Sequence, residues 1–193
     1  MLIYSLEEME TKQQIIRSAL EVLKTQGTEG LTLRKVATHA QMSLGNLQYH
    51  YKNKSALFGG LAEHYFSECS EILRGYVPIG PESDLSTRLR HLIGSIFDHL
   101  DDLTDMCRIF RELWALATRD PEISFQLMDY YCVSRKEMEA LFLEITSSPE
   151  GSSKIVTLLL PYFEGYSITH NAIEVRKDQV VDLLTELSMT LVD

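Results

Sequence analysis

Apolar residues recur every three to four positions along most of this 193-residue chain, a spacing that places them on one face of an α-helix. The pattern runs with interruptions from Ile15 to Leu191, and no segment alternates apolar and polar residues as a half-buried strand does. Gly, Pro or clusters of small polar residues separate the runs, as is usual between helices. The sequence therefore predicts an all-α fold of about nine helices.

The first helical run follows an acidic segment with little pattern, residues 1–10, which we expect to be a frayed or loosely docked tail. Thr11 and Gln14 have the spacing of a capping box, in which two side chains satisfy free backbone N–H groups where a helix begins. A helix is therefore expected from Thr11, and Gly27 should end it. Gly27 and Gly30 then bracket a short loop.

Two short helical runs joined by a tight turn lie within residues 31–58. Thr32 and Ser43 stand where the two helices would begin, and a hydroxyl there can accept a free backbone N–H. Small Ala37 allows two crossing helices to approach closely. The second run displays small groups and amide or phenol groups that can hydrogen-bond to base edges, which predicts a helix-turn-helix DNA reader. The predicted DNA-contacting residues are Thr32, Ser43, Leu44, Gly45, Asn46, Gln48, Tyr49, His50, Tyr51 and Lys54.

Within that set, Ser43, Asn46, Gln48 and Tyr49 are expected at base edges, and the phosphates are expected to meet another four residues. These are Thr32, His50, Tyr51 and Lys54. A further helix should begin at about Lys54, where free backbone N–H groups and a lysine could hold a phosphate. A plain helix cap is the alternative at that position.

The helix that begins at Lys54 should run to about Gly75 and connect the reader to the rest of the chain. The predicted domains are accordingly 1–53 for DNA binding and 54–193 for ligand binding and dimerisation, with 54–76 as the connecting helix. Residues 77–84 contain two Pro and one Gly and break the pattern. Five more helices are predicted after that break, at about 85–100, 104–119, 121–145, 153–173 and 178–191.

The charge is polarised along the chain, although the net charge of −10 at first argues against binding to polyanionic DNA. Residues 1–60 carry 7 basic and 5 acidic residues, whereas residues 61–193 carry 11 and 23. Residues 31–60 carry four basic residues and no acid. A small basic domain on an acidic body fits this distribution.

The region from Thr11 to Leu61 resembles the DNA-binding domain of the TetR family of bacterial transcriptional regulators. Two positions depart from that family, which usually has Gly where this chain has Gln41 and Tyr where it has Gln48. A residue other than Gly with a positive φ at Gln41 would cost on the order of 1 kcal/mol. The residues that carry the resemblance are Leu31-Thr32, Val36-Ala37, Ala40, Ser43, Gly45, Leu47, His50, the aromatic Tyr51, Lys52-Asn53-Lys54 and Leu57.

The resemblance implies a homodimeric repressor that occupies a palindromic operator and is released by an unknown small-molecule effector. The dimer surface is expected on the last two helices, at about 153–191, because TetR-like proteins pair in this way. Part of the same leucine stripe must serve the core of each chain, and the sequence does not divide the two roles. Repression and activation remain alternatives, because promoter geometry decides whether a bound regulator represses or activates transcription.

Aromatic and polar residues of the body could line an effector cavity, because small-molecule sites combine apolar walls with a few polar anchors. Packing within the core is the alternative for each of them. The segment 111–115 with Asp120-Pro121, and later Glu164-Gly165, also resembles the ligand domain of the choline-responsive repressors of the family. The candidate ligand residues are Phe110, Trp114, Tyr131, Tyr162, Tyr166 and His170, with His91, Arg111, Phe142, Phe163 and Asn171 as further possibilities.

Enzyme signatures are missing from the sequence: there is no H-E-x-x-H, no G-x-G-x-x-G, no phosphate loop and no G-x-S-x-G. Cys69, Cys107 and Cys132 have neither disulfide nor zinc spacing, so no metal or cofactor is expected.

No apolar run approaches a bilayer span and no signal sequence is visible, which favours the cytoplasm. A helical, dimeric ligand-binding protein that does not read DNA is the alternative to the regulator.

Overall fold

A computed structural model of the chain describes residues 2–80, 82–102, 104–170 and 172–192, and it contains nine helices and no strand within those ranges. Asn171 and the side chain of Cys107 lie outside the described part. The helices are α1 Leu2–Gly30, α2 Leu33–His39, α3 Leu44–His50, α4 Lys54–Arg74, α5 Leu85–Asp102, α6 Thr104–Ala117, α7 Pro121–Thr146, α8 Pro149–Thr169 and α9 Lys177–Val192. The all-α prediction is confirmed.

The start of α1 differs from the prediction, because the helix begins at Leu2 and passes through Thr11 without a break. The Thr11 hydroxyl donates to the Glu7 carbonyl one turn earlier, at 2.7 Å, so it does not cap a helix start. Glu7, Glu8 and Met9 are good helix formers, and nothing in residues 2–10 interrupts the helix. The capping-box prediction is therefore wrong, as is the prediction of a frayed tail for residues 2–10.

The break predicted at Gly27 is present, since this residue has φ 67° and ψ −176° within the assigned span of α1. The left-handed φ is accessible to Gly at little cost. At the other end of the chain, α8 begins four residues earlier than predicted. Ser148 caps it by accepting from the Gly151 N–H at 3.1 Å, and Pro149 occupies the first turn, where a missing N–H does no harm.

The chain divides into two compact units. The head unit comprises Met1–Ser67 and Arg108–Leu127, and the body unit comprises Glu68–Cys107 and Met128–Asp193. The head unit therefore extends beyond the predicted DNA-binding domain 1–53, and α4 contributes to both units. The functional boundary at 53/54 stays a prediction.

Each unit has its own apolar core. The head core is formed by buried residues of α1 to α4, α6 and α7 and of the link between α1 and α2, among them Ile15, Leu31, Val36, Leu47, Leu57, Leu61 and Leu113. The body core joins α5, α7, α8 and α9 and includes Leu89, Ile93, Phe97, Phe142, Ile155, Leu159, Val181 and Leu184. No helix in the described ranges has both the length and the apolarity that a membrane crossing requires.

Candidate nucleic-acid interface and ligand-binding residues

Hydroxyl caps start both helices of the predicted reader. The Thr32 side chain accepts from the Lys35 N–H at 3.3 Å and precedes α2, and the Ser43 side chain accepts from the Asn46 N–H at 3.1 Å and precedes α3. Both residues have extended backbone, as N-caps do. The predicted caps are confirmed, and they fix where the short helix α3 begins.

The turn between α2 and α3 is closed without the glycine that is usual in the family. Gln41 has φ 55°, and the Met42 N–H donates to the Ala37 carbonyl at 2.9 Å. The Gln41 side chain is exposed, so the strain stays in the backbone and is on the order of 1 kcal/mol. Gln14 of α1 holds the turn from behind, because its side-chain amide donates to the Ala40 carbonyl at 2.8 Å.

One face of α3 is buried and the other lies open. Leu47 is fully buried and anchors the helix in the head core, whereas Ser43, Gly45, Asn46, Gln48 and Tyr49 are exposed. Tyr49 leaves 76% of its surface uncovered, which is unusual for so large a ring. The exposed face carries hydroxyl, amide and phenol groups and no charge. These are the groups that would hydrogen-bond to base edges.

His50 and Tyr51 end α3 and are less accessible than the residues before them. The His50 ring meets the Tyr49 ring edge-on at 5.1 Å, and its Nδ1 is buried without a hydrogen-bond partner in the described structure. The Tyr51 ring lies against Gly60 of α4 so closely that an added Cβ would come within 2.5 Å of Cε1. Burial and the nearby Glu63 charge raise the pKa of Tyr51. The structure gives Tyr51 a packing role, and its phosphate contact stays a prediction.

The start of α4 lies at Lys54, as predicted. Asn53 caps it, since its side-chain oxygen accepts from the Ala56 N–H at 2.8 Å. The Lys54 ammonium donates to the Thr28 carbonyl at 2.8 Å and stands 5.6 Å from the centre of the Phe58 ring. An ammonium has three donors, so an exposed Lys54 can hold this contact and also meet a phosphate.

A contact that sequence reasoning missed joins the starts of α4 and α7 within the head unit. The Ser55 hydroxyl donates to Asp120 Oδ2, and Asp120 Oδ1 accepts from the Glu122 N–H at 3.0 Å as the cap of α7. The hydrogen bond from Ser55 is the main reason why the pKa of Asp120 is lowered. The Asp-Pro pair signals the helix start, but nothing local to either residue signals a partner 65 positions away.

The predicted ligand residues fall in both units. Phe110 and Trp114 of α6 belong to the head unit, where Phe110 is buried with its ring 5.1 Å from that of Tyr65 and Trp114 is exposed. The rings of Tyr162 and Tyr166 on α8 and of His170, the C-cap of α8, stack in sequence in the body unit, with centres 6.5 and 5.2 Å apart. Tyr166 also meets Phe97 edge-on at 4.7 Å inside the body core. Tyr131 of α7 lies beside Tyr130, with their ring centres 5.2 Å apart.

Glu164 of α8 is a half-buried carboxyl that the sequence analysis named only in the resemblance to the choline-responsive repressors and not among the candidate ligand residues. The Tyr131 hydroxyl donates to it, but burial dominates and raises the pKa of Glu164 to about 7. A signal for this residue was present in the sequence. Histidine aside, Glu164 is the only acidic or basic residue between Lys154 and Glu174. A lone carboxylate in so apolar a helix is a candidate for a functional role.

Exposed apolar residues mark the surfaces of α8 and α9. Leu183 and Leu187 of α9 are 57% and 42% exposed, whereas their neighbours Val180 and Leu184 are buried in the body core. Leu158 and Tyr162, one turn apart on α8, are also exposed. The structure thus divides the leucine stripe that the sequence left undivided into a core side and an open side.

Comparison with known proteins finds helix-turn-helix regulators that are similar to this chain. The family described as bacterial regulatory proteins of the tetR family matches residues 15–61. An HTH-type transcriptional regulator in the dhlA 5′ region of Xanthobacter autotrophicus is 37% identical over 175 residues, which cover 91% of this chain and 87% of that protein. The regulator BetI of Klebsiella pneumoniae is 21% identical over 110 residues, which cover 57% of this chain and 56% of BetI.

The fold is shared with the multidrug-binding protein EbrR, whose crystal structure with ethidium superposes with a TM-score of 0.68 at 21% identity and covers 95% of this chain and 99% of that one. The family match coincides with the capped helices and the exposed face of α3, and the similarity to the Xanthobacter regulator extends through the body. This chain is a helix-turn-helix transcriptional regulator that belongs to the TetR family.

Proposed function

We propose that the protein is a homodimeric repressor that occupies a palindromic operator and leaves it when a small-molecule effector binds. The observation that carries the proposal is the exposed, uncharged polar face of α3, held by a hydroxyl cap in front and a buried Leu47 behind. One short helix reads only a few base pairs, so two copies on two half-sites are needed for specific affinity.

The charge of the two units supports DNA binding by the head. The head unit holds 10 basic and 9 acidic residues, a net charge of +1, and the body unit holds 8 and 19, a net charge of −11. The body would repel a duplex, whereas the phosphates can approach the acid-free stretch 31–60 of the head. The open face of α3 would therefore be the face that meets the major groove.

The open side of α8 and α9 supports pairing of two chains. Leu158, Tyr162, Leu183 and Leu187 expose apolar surface on two helices that pack against each other in the body unit. A surface of this kind, matched with its own copy about a two-fold axis, gives the closed dimer that a palindrome needs. In the proposed dimer the two heads stand one helical turn of DNA apart, about 34 Å.

An effector in the body unit would regulate the repressor only if it bound the free and the DNA-bound states with different affinity. EbrR, which has the same fold, was crystallised with ethidium and so takes up a small molecule. The proposed function is regulatory and not enzymatic, and it places the protein in the cytoplasm with its DNA.

Selection of bound sequences from a random duplex library tests this function. The expected result is a palindrome whose half-sites are centred about 10 bp or a multiple of it apart. Enrichment of no sequence, or of a site without two-fold symmetry, would contradict dimeric reading. Failure to retain any duplex at low salt would favour the alternative, a helical ligand-binding dimer that does not read DNA.

A further inference from the structure

The open face of α3 carries two side-chain amides that the head unit does not use. Asn46 and Gln48 are both exposed, and neither side chain hydrogen-bonds to another described residue. The capping bond at Asn46 involves its backbone N–H, which donates to Ser43 Oγ. Each amide therefore has a donor and an acceptor available for a partner.

The two amides stand on opposite sides of Gly45. Successive residues of an α-helix are about 100° apart around its axis, so Gln48 lies about 60° to one side of Gly45 and Asn46 about 100° to the other. Leu47 points away from this face and is fully buried. Gly45 has no side chain, and an added Cβ would find only Ser43 Oγ, at 4.0 Å. A flat edge can thus approach the backbone at Gly45 and meet an amide on either side.

A side-chain amide matches adenine better than the other bases. In the major groove adenine presents the N7 acceptor beside the N6 amino donor, and the amide of Asn or Gln can bond to both at once. Guanine presents two acceptors, N7 and O6, and is most often read by Arg or Lys. α3 contains neither of these residues. The basic residues of 31–60 lie outside α3 and are Arg34, Lys35, Lys52 and Lys54.

Apolar surface beside each amide suits thymine, the base opposite adenine. Thymine carries a methyl group in the major groove, where apolar side chains can contact it. Leu44 is half-buried and precedes Gln48 by four residues, so the two lie on the same side of the face. Tyr49 follows Asn46 by three residues and leaves 76% of its surface exposed. The groups on both sides of Gly45 thus fit an A·T pair.

We infer that α3 reads A·T base pairs, with Gln48 and Asn46 each bonded to an adenine of the half-site and Leu44 and Tyr49 against thymine methyl groups. The inference rests on the proposed function for the binding of a duplex, and it adds which bases the face selects. Gln48 stands where the family usually has Tyr, which has no amide, so its adenine contact is particular to this chain.

Selection from a random duplex library, repeated with full-length variants, tests the assignment. Gln48→Ala and Asn46→Ala should each lose the base preference at one position of the half-site, and the wild type should select adenine there. Gln13→Ala removes an exposed amide from α1 of the same unit and should leave every preference unchanged. A G·C pair at either position, or preferences that neither variant changes, would overturn the inference.

Base analogues separate a direct contact from recognition of DNA shape. 7-Deazaadenine has C–H in place of N7 and still pairs with thymine. At the adenine that depends on Gln48 it should weaken binding by the wild type about fivefold, and it should not weaken binding by Gln48→Ala. Fluorescence anisotropy measures both affinities. Equal binding of the wild type to the adenine and 7-deazaadenine duplexes would assign the preference to DNA shape and overturn the direct contact.

An exchange of specificity completes the test. Gln48→Arg should change the preferred base at its position from adenine to guanine, because a guanidinium donates to both guanine acceptors. A Gln48→Arg protein that still selects adenine would overturn the inference. Absence of duplex binding at low salt would overturn the proposed function, whereas a selected palindrome with G·C pairs at the positions that depend on Gln48 and Asn46 would overturn this inference alone.

Discussion

The head and body units are both built from α-helices, but they differ in how the helices are held and in the surface that they expose. In the head, short helices are fixed by local caps, Thr32, Ser43 and Asn53, and an exposed polar face is left open. In the body, long helices pack through an extended apolar core, which leaves an exposed apolar surface on α8 and α9 and a half-buried carboxyl, Glu164, whose pKa is raised by burial. The difference fits the partners that we propose for each unit, nucleic acid for the head and a second chain for the body.

The largest effect on operator affinity is expected when charges are introduced into the exposed apolar surface of the body unit. Leu183→Glu combined with Leu187→Glu places two charges on the open side of α9, away from the core side that holds Val180 and Leu184. The protein should become monomeric in analytical ultracentrifugation and lose operator affinity by about a hundredfold or more, because one head alone reads too few base pairs. Phe125→Glu, which adds a charge at an exposed ring of the head unit, is the control and should stay dimeric.

Removal of the largest exposed ring from the head's reading face should have the next largest effect. Tyr49→Ala should reduce operator affinity by about ten- to a hundredfold, the range of about 1–3 kcal/mol for a base contact, while the dimer stays intact. Fluorescence anisotropy with the selected operator measures the affinity of the wild type and of the variant. Val77→Ala truncates an apolar side chain of the same 76% exposure in the body and should change nothing. Unchanged affinity in Tyr49→Ala would remove this residue from the interface.

The body's carboxylate predicts a pH dependence of stability. Burial raises the pKa of Glu164 from 4.5 to about 7, against the hydrogen bond from Tyr131, with Tyr130 and Cys69 as the other titratable groups of this cluster. The folded protein then holds a proton that the unfolded chain has released, so stability falls as pH rises from about 4.5 to 7 and levels off above. Glu164→Gln removes that loss and should be more stable than the wild type by about 1–3 kcal/mol at pH 8, but not at pH 4.5.

Urea denaturation at the two pH values measures this difference, with Glu144→Gln, which removes an exposed carboxylate of α7, as the control. A constant difference between the wild type and Glu164→Gln across the pH range would contradict the burial of an uncompensated carboxylate.

The smallest effect concerns Gly45 in the head's reading helix. An added Cβ would find nothing closer than Ser43 Oγ at 4.0 Å, so the protein itself does not require glycine there. Gly45→Ala should raise the free energy of unfolding by about 0.5–1 kcal/mol through its helix propensity. It should nevertheless weaken operator binding, since α3 must approach the DNA closely. Thermal unfolding and anisotropy together check this; a more stable variant with full affinity would show that Gly45 does not face DNA.

The two units also differ in how far the sequence predicts them. In the head, caps and turns are local, so Thr32, Ser43 and the start of α4 at Lys54 were predicted and are confirmed. The capping box predicted at Thr11 and Gln14 was wrong, although it too is a local signal. Two residues with the spacing of a capping box do not begin a helix when good helix formers precede them. At Ser148-Pro149 the start signal was present in the sequence and α8 was still predicted to begin four residues too late.

The fold of the body unit depends on packing between segments that are far apart in the sequence. The periodicity of apolar residues does not show which of them face another segment and which face solvent. Leu183 and Leu184 are adjacent members of one leucine stripe, yet the first is open and the second is in the core. The hydrogen bond from Tyr131 to Glu164 joins two helices and has no signal in either one alone. The base and phosphate contacts of the head, and the ligand residues Phe110, Trp114, Tyr131, Tyr162, Tyr166 and His170, stay predictions.

A salt titration with three duplexes tests most directly whether the head reads DNA as one half of a dimer. The affinity of the purified protein is measured for the selected palindrome, for one half-site and for a random duplex between 50 and 200 mM salt, a range of about fourfold. We expect all three affinities to fall as salt rises, and the palindrome to be bound about a thousandfold or more tightly than the random duplex, with the half-site close to random. Equal affinity for the palindrome and the random duplex, or no duplex binding even at 50 mM salt, would contradict the account.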